Sequence, residues 1–108
     1  MTNIELVEAE LAAAKRKHPH FIDHFTSMDV ADADAFLFAM RQVLENRGNF
    51  HEVNFLNVLQ CEMAEAIEAR ARGDLAHTRQ ELAQCAAVCI RGMEYIEAEI
   101  EKGGNNGH

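Results

Sequence analysis

Apolar residues recur at intervals of three and four along most of the chain, which is the period of an amphipathic α-helix. Pro19, Gly48 and Gly73 interrupt this pattern and divide it into four predicted helices. No stretch of four to eight residues alternates β-branched with polar side chains, so no β-strand is predicted. The first helix is predicted from Asn3 to just before Pro19, and the others span residues 30–46, 50–72 and 74–101.

Polar residues at the predicted helix starts support these boundaries. Thr2 and Glu5 have the spacing of a capping box, in which each side chain binds the backbone N–H of the other residue. Ser27 or Asp29 can cap the second helix, and Asp74 can cap the fourth. The expected fold is therefore all-α, an antiparallel bundle of about four helices with short connections.

The apolar stripes of these helices predict a single helical domain over residues 1–102, followed by a flexible Gly- and Asn-rich tail at residues 103–108. The third helix is expected to bury a central stripe at Leu56, Leu59, Met63 and Ile67. The fourth is expected to bury Leu75, Leu82, Ala86, Cys89, Met93, Ile96 and Ile100. It also carries a separate apolar strip, which requires cover by the second helix or by another subunit. This strip consists of Ala83, Ala87 and Ile90.

Composition narrows the possible functions. The 108 residues include 10 Lys and Arg against 18 Asp and Glu, a net charge of −8, which disfavours nucleic acids and anionic membranes unless a cation intervenes. The N-terminus has no basic segment of a signal peptide, and no apolar run is long enough to span a membrane. The three cysteines, Cys61, Cys85 and Cys89, form no CxxC pair, which is typical of a reducing compartment. A cytoplasmic protein is expected.

Paired carboxylates in the third helix are the first candidate for chemistry. Glu62 and Glu65 are three residues apart, so they lie about 60° apart on one side of a helix, one turn along. Glu62 shares its side with Phe55 and Ala66, which is unlike an ordinary solvated face. Like charges among apolar neighbours are unfavourable unless a cation neutralises them.

A similar pair, Glu81 and Gln84, follows in the fourth helix at a comparable distance beyond Gly73. A short turn makes the two helices antiparallel neighbours, so the two pairs can face each other. Three carboxylates and one amide oxygen would suit Mg²⁺ or Mn²⁺ better than Zn²⁺. The alternative is a solvated acidic face, since ExxE pairs are common in helices.

At these residues the chain resembles the MazG-like, all-α nucleoside triphosphate pyrophosphohydrolases, in particular short phage-type members. That family carries ExxE on one helix and ExxD on the next, and here 15 residues separate Glu65 from Glu81. The residues from His51 to Glu65, those from Gln80 to Arg91 and the N-terminal segment 10–21 are similar to family sequences. The resemblance covers about two-thirds of the chain, and residues 29–49 look like an added helix.

The resemblance implies Mg-dependent hydrolysis of (d)NTP to (d)NMP and pyrophosphate by a homodimer or homotetramer. Glu62, Glu65 and Glu81 would be the metal ligands and catalytic residues, with Gln84 as a further ligand. Gln84 stands where many members have Asp, and Cys61 stands where many have Glu. These departures suggest an alternative, a catalytically degenerate acidic module that binds a protein partner or nucleotide without turnover.

Three further residues are candidates for substrate binding. His51 is predicted to contact a phosphate or base, Arg91 to hold a phosphate, and Tyr95 to stack on a nucleobase. The alternatives are a helix-start histidine, a surface ion pair and an interface tyrosine, respectively. The cysteines are expected to pack as small apolar residues rather than bind a metal, and a metal site at His18, His20 and His24 is a minor alternative.

Overall fold

The structure is a computed structural model that describes residues 1–50 and 53–103, with the side chains of residues 47–50 left out. It contains four helices and a single 3₁₀ turn, and no strand occurs in the described ranges. The predicted all-α fold is confirmed. The helices are α1 (Asn3–Lys17), α2 (Val30–Phe50), α3 (Phe55–Ala71) and α4 (Leu75–Glu101), and the 3₁₀ turn is Phe21–Asp23.

Side-chain caps explain where most of these helices begin. The Thr2 and Glu5 capping box starts α1 as predicted. Asp29 Oδ1 accepts the backbone N–H of Asp32 at 2.8 Å and starts α2. Asp74 Oδ1 accepts the backbone N–H of His77 at 3.1 Å and starts α4, again as predicted.

Two predicted boundaries are wrong. Helix α2 continues through Gly48 to Phe50, so this glycine does not end the helix. Helix α3 begins at Phe55 rather than at residue 50, because Asn54 caps it by accepting the backbone N–H of Asn57 at 3.0 Å. A single glycine inside a helix costs about 1 kcal/mol, which neighbouring turns can offset.

The chain divides into two compact units. The first comprises residues 1–27 and 90–108, and within it Asn3 Nδ2 donates to Glu97 Oε1 at 3.2 Å. Helix α1 buries none of its residues. An open apolar groove of this unit is lined by Leu6, Val7, Glu10, Leu11, Ala14 and Met93. A single domain over residues 1–102 stays a prediction, and the predicted tail lies outside the described residues beyond Gly103.

The second unit, residues 28–89, is organised around α3. Helix α2 packs against α3. Arg72 pairs with Asp34, whereas Arg41, farther along α2, pairs with Glu65, earlier in α3, so the two helices are antiparallel. Their core consists of small side chains, which allow the helix backbones to approach closely. The buried apolar residues of the unit are Ala33, Leu37, Cys61, Ala64, Ala66 and Ala69.

A tight turn reverses the chain between α3 and α4. Gly73 has φ +81°, and its N–H donates to Arg70 O at 3.0 Å, while Asp74 N–H donates to Ala69 O at 3.0 Å. This pair of bonds is a Schellman motif, whose left-handed position favours glycine. The turn places the start of α4 next to the end of α3.

The large apolar side chains do not form the predicted core. Leu56 and Met63 are 57% and 42% exposed, and Leu59 and Ile67 are only half-buried. In α4 the buried residues are Thr78 and Glu81, while the predicted stripe is exposed apart from the half-buried Met93. Periodicity identified the apolar faces correctly, but these faces are not covered by the chain itself.

None of the helices in the described ranges combines the length and the hydropathy that crossing a membrane requires.

Candidate metal centre

Three glutamates converge where α3 and α4 run side by side. Glu62 and Glu65 of α3 and Glu81 of α4 each offer a carboxylate oxygen, and these oxygens lie within 4.8 Å of one another. The three residues are called the glutamate cluster below. A group of this kind could hold a metal ion. The structure thus brings together the three carboxylates that the sequence predicted to face each other.

The local geometry of the two helices produces this convergence. Glu62 and Glu65 lie one turn apart on the same side of α3 because three residues advance a helix by about 300°. The Gly73 turn makes α4 antiparallel to α3, so Gln84 lies beside Glu62 and Glu81 lies near Glu65. Ala66 and Ala69, which are almost completely buried, continue the side of Glu62 along α3.

Burial and mutual repulsion disfavour the charged form of the cluster. Glu81 is only 7% exposed, and Glu62 and Glu65 are half-buried. Burial raises the pKa of Glu62, and the charges of Glu65 and Glu81 raise it further. Burial also raises the pKa of Glu65, with added contributions from the hydrogen bond and charge of Glu81, against the opposing effect of Arg41.

These pKa shifts reduce stability at neutral pH. Glu62 and Glu65 bind protons more tightly in the folded chain than in the unfolded chain, so the folded state holds more protons between the two pKa values. The contribution of these two groups to the free energy of unfolding therefore falls as the pH rises through their raised pKa values in the folded chain. A bound cation would oppose this loss because it stabilises the charged carboxylates.

The Gln84 amide links two of the carboxylates. With its nitrogen directed into the cluster, the amide donates to Glu62 Oε2 at 2.7 Å and to Glu81 Oε2 at 3.2 Å. The sequence predicted that Gln84 would offer its oxygen to a metal. The amide position that faces the cluster can hold the oxygen, which a cation would bind, or the nitrogen, which donates to the two carboxylates.

His77 holds the other oxygen of Glu81. Its Nε2 lies 2.9 Å from Glu81 Oε1, and its Nδ1 lies 4.0 Å from Asp74 Oδ2. The two side chains are hydrogen-bonded within one turn of α4. His77 was not among the predicted site residues, although its spacing of one helical turn from Glu81 was a usable signal.

Arg41 reaches the cluster from α2. Its Nη2 lies 3.4 Å from Glu65 Oε1, and its side chain is 59% exposed. No local sequence pattern links Arg41 to Glu65, because 24 positions separate the two residues and only the packing of α2 on α3 brings them together.

The three cysteines differ in burial. Cys61 is buried, Cys85 is half-buried, and Cys89 is exposed, contrary to its predicted place in the core. Burial raises the pKa of the Cys61 and Cys85 thiols, and the charges of Glu65 and Glu62, respectively, add to this effect.

The three residues predicted to bind substrate stay predictions. His51 lies outside the described residues, and α3 begins after it. Arg91 and Tyr95 are exposed on the part of α4 that belongs to the first unit, so their roles in substrate binding stay predictions. Among the described residues, the glutamate cluster is the group of His, Cys, Asp and Glu side chains that meets metal-site spacing, and the N-terminal histidines do not take part in it.

Comparisons of the chain with protein-family models, with curated proteins and with solved structures find no match.

Proposed function

We propose that this protein is a Mg²⁺-dependent hydrolase that converts (d)NTP to (d)NMP and pyrophosphate. The observation that carries the proposal is the glutamate cluster, in which three carboxylates from two antiparallel helices lie within 4.8 Å of one another. Burial first, and the neighbouring carboxylate charges in addition, raise the pKa of Glu62 and Glu65, so the charged cluster is unfavourable without a cation. A small divalent cation bound by all three removes that repulsion.

The donor set suits Mg²⁺, with Mn²⁺ as a substitute. Both are hard cations that prefer carboxylate oxygens, and Mg²⁺ usually keeps waters that substrate phosphates can replace. Three protein carboxylates leave such positions open, and a Gln84 amide with its oxygen directed into the cluster would add a fourth oxygen. When bound, Mg²⁺ supplies an electrophile that holds phosphates and polarises water.

In this proposal the carboxylates of the cluster hold the cation and accept a proton, and His77 orients Glu81. A phosphoanhydride bond between the α- and β-phosphates breaks while water forms a new bond to phosphorus, and a carboxylate of the cluster takes the proton of that water. His77 keeps Glu81 Oε1 engaged at 2.9 Å, so Oε2 is the oxygen that remains directed toward Gln84. This arrangement orients Glu81 for the cluster.

The exposed apolar faces support a homo-oligomer, either a homodimer or a homotetramer. Leu56 and Leu82 of the second unit and Ile96 of the first are each more than two-fifths exposed, at 57%, 44% and 56%. Helices with such faces are stabilised when a second copy covers them.

Sedimentation equilibrium is expected to give a mass of two or four chains at micromolar concentration, because burial of these apolar faces favours association. A monomer would contradict this part of the proposal.

A second candidate function is a binding module without turnover. The hydrogen bonds from Gln84 to Glu62 and Glu81, together with the contacts of His77 and Arg41, partly neutralise the cluster without a metal. A closed network of this kind favours a protein that retains the shape of the site but no longer hydrolyses nucleotide. The net charge of −8 then suits a basic protein partner.

The direct test is pyrophosphate release from the four ribonucleoside and four deoxyribonucleoside triphosphates, with Mg²⁺, Mn²⁺ or EDTA. We expect turnover of at least one substrate with a divalent cation, none with EDTA, and a loss of more than about tenfold in Glu62→Gln. Mg²⁺ is also expected to raise the melting temperature. A folded wild-type protein that turns over none of the eight substrates would reject hydrolysis, and the absence of a thermal shift with Mg²⁺ would favour the binding module.

A further inference from the structure

Arg41 is a cation at the edge of the glutamate cluster. Its guanidinium makes one contact with the cluster, from Nη2 to Glu65 Oε1 at 3.4 Å, which is longer than the 2.7–2.9 Å typical of strong charge-assisted hydrogen bonds. The Arg41 side chain is 59% exposed, whereas the Glu65 side chain is 25% exposed. Arg41 also hydrogen-bonds the Cys61 thiol. An ion pair made by an exposed arginine stabilises a fold little.

Arg72 provides a contrast within the same pair of helices. Its Nη2 contacts both oxygens of Asp34, at 2.9 Å and 2.8 Å, and its Nε donates to Glu68. Arg72 therefore ties the end of α3 to α2 through one nitrogen that contacts both oxygens of Asp34, and it also binds Glu68 one turn earlier. Arg41 joins the same two helices, but the carboxylate that it contacts, Glu65, belongs to the glutamate cluster.

We propose that Arg41 binds the phosphate chain of the nucleotide held at the glutamate cluster, an inference that rests on the proposed function. A cation bound by Glu65 would satisfy the charge that now attracts Arg41. The released guanidinium has five N–H donors in a planar fork, which matches two phosphate oxygens at once. Because the side chain is largely exposed, it can turn from Glu65 to a phosphate once a cation takes its place beside that carboxylate.

If Arg41 binds phosphate, removing it is expected to change the affinity for metal and the affinity for phosphate in different directions. Arg41 carries the same charge sign as a metal ion and shares Glu65 with it, so removing Arg41 is expected to leave metal affinity unchanged or raise it. Removing Arg41 also takes a cation from the phosphate site, so phosphate affinity is expected to fall. A purely structural ion pair between α2 and α3 would instead weaken both affinities, because its loss would loosen the site.

The experiment compares Arg41→Gln and Arg41→Lys with Arg72→Gln as the matched control. Calorimetry measures the binding of Mn²⁺ alone and then of inorganic tripolyphosphate in the presence of Mn²⁺. For Arg41→Gln we expect tripolyphosphate affinity to fall about 10- to 100-fold while Mn²⁺ affinity stays equal or rises up to about tenfold. Arg41→Lys is expected to fall between wild type and Arg41→Gln, because it keeps the charge but not the fork.

The Arg72→Gln control is expected to lower the melting temperature while both affinities stay within about twofold of wild type. Unchanged tripolyphosphate binding in Arg41→Gln, or an equal loss in Arg72→Gln, would overturn the role of Arg41. A wild-type protein that binds Mn²⁺ and tripolyphosphate but releases no pyrophosphate from any nucleotide would overturn hydrolysis alone, and Arg41 would still be judged by its binding data. A wild-type protein that binds neither probe would overturn both proposals.

Discussion

Replacing Glu81 by glutamine is expected to weaken Mn²⁺ binding by about a hundredfold or more and to abolish pyrophosphate release. Glu81 is the most buried member of the glutamate cluster, at 7% exposure, and it comes from the opposite helix to the other two. Loss of a hydrogen-bonding partner behind a metal ligand typically costs 10- to 100-fold in metal affinity. Loss of a charged ligand itself is expected to cost at least as much.

The substitution preserves the shape of the site while it removes a charge. The amide oxygen introduced by Glu81→Gln can still accept from His77, so the packing between α3 and α4 is expected to persist. Without metal, the variant should be at least as stable as wild type, because the charge of Glu81 raises the pKa of Glu62 and Glu65. Urea unfolding in EDTA measures this, and calorimetry measures the affinity for Mn²⁺.

Glu68→Gln is the matched control for this prediction. Glu68 lies on α3, but its carboxylate pairs with Arg72 rather than joining the cluster. Its substitution is expected to leave Mn²⁺ affinity and turnover within about twofold of wild type. Equal losses in the two variants would show that the glutamate cluster has no special part in metal binding.

Ala33→Leu is expected to have the largest effect on stability, a loss of about 3 kcal/mol in the free energy of unfolding. Ala33 of α2 is 0% exposed, and α2 packs against α3. Overpacking typically costs about 1–3 kcal/mol, and the upper end applies here because added carbons must separate two helices. The melting temperature is expected to fall by about 10–20 °C.

Ala39→Leu provides the same substitution on the same helix at an exposed position. Its free energy of unfolding is expected to remain within about 0.5 kcal/mol of wild type. Chemical denaturation of both variants tests the difference, and Ala33→Val is a milder change if Ala33→Leu does not fold. Equal stability of Ala33→Leu and Ala39→Leu would contradict the close packing of α2 on α3.

Much of the candidate site followed from local rules. A three-residue spacing puts Glu62 and Glu65 on one side of a helix, and a glycine turn returns the chain alongside it, so the approach of Glu81 was predictable. His77 was missed but obeys the same periodicity, since it lies one turn before Glu81. Arg41 was not predictable, because its contact with Glu65 depends on how α2 packs against α3.

The core was predicted poorly for a related reason. The spacing of Leu56 and Met63 identifies an apolar face of α3, yet Ala64 and Ala66 are the buried residues. Hydropathy favours burying the largest side chains, whereas close contact between helix backbones selects the smallest ones. Gly48 was predicted to end α2, and Asn54 was not recognised as the cap of α3. The predicted end of α2 and the predicted start of α3 were therefore both wrong.

The amino-acid sequence alone determined that this protein is helical, where α1 and α4 begin and end, and that an acidic pair on α3 is followed by Glu81 and Gln84 on α4. Those features, like the spacing of His77 and Glu81, depend on backbone hydrogen bonds and side-chain periods within a few residues. The tertiary structure decided which face of each helix is buried, that Gln84 lies beside Glu62, and that Arg41 borders the glutamate cluster. These contacts depend on the distances and rotations between whole helices, which no local pattern fixes.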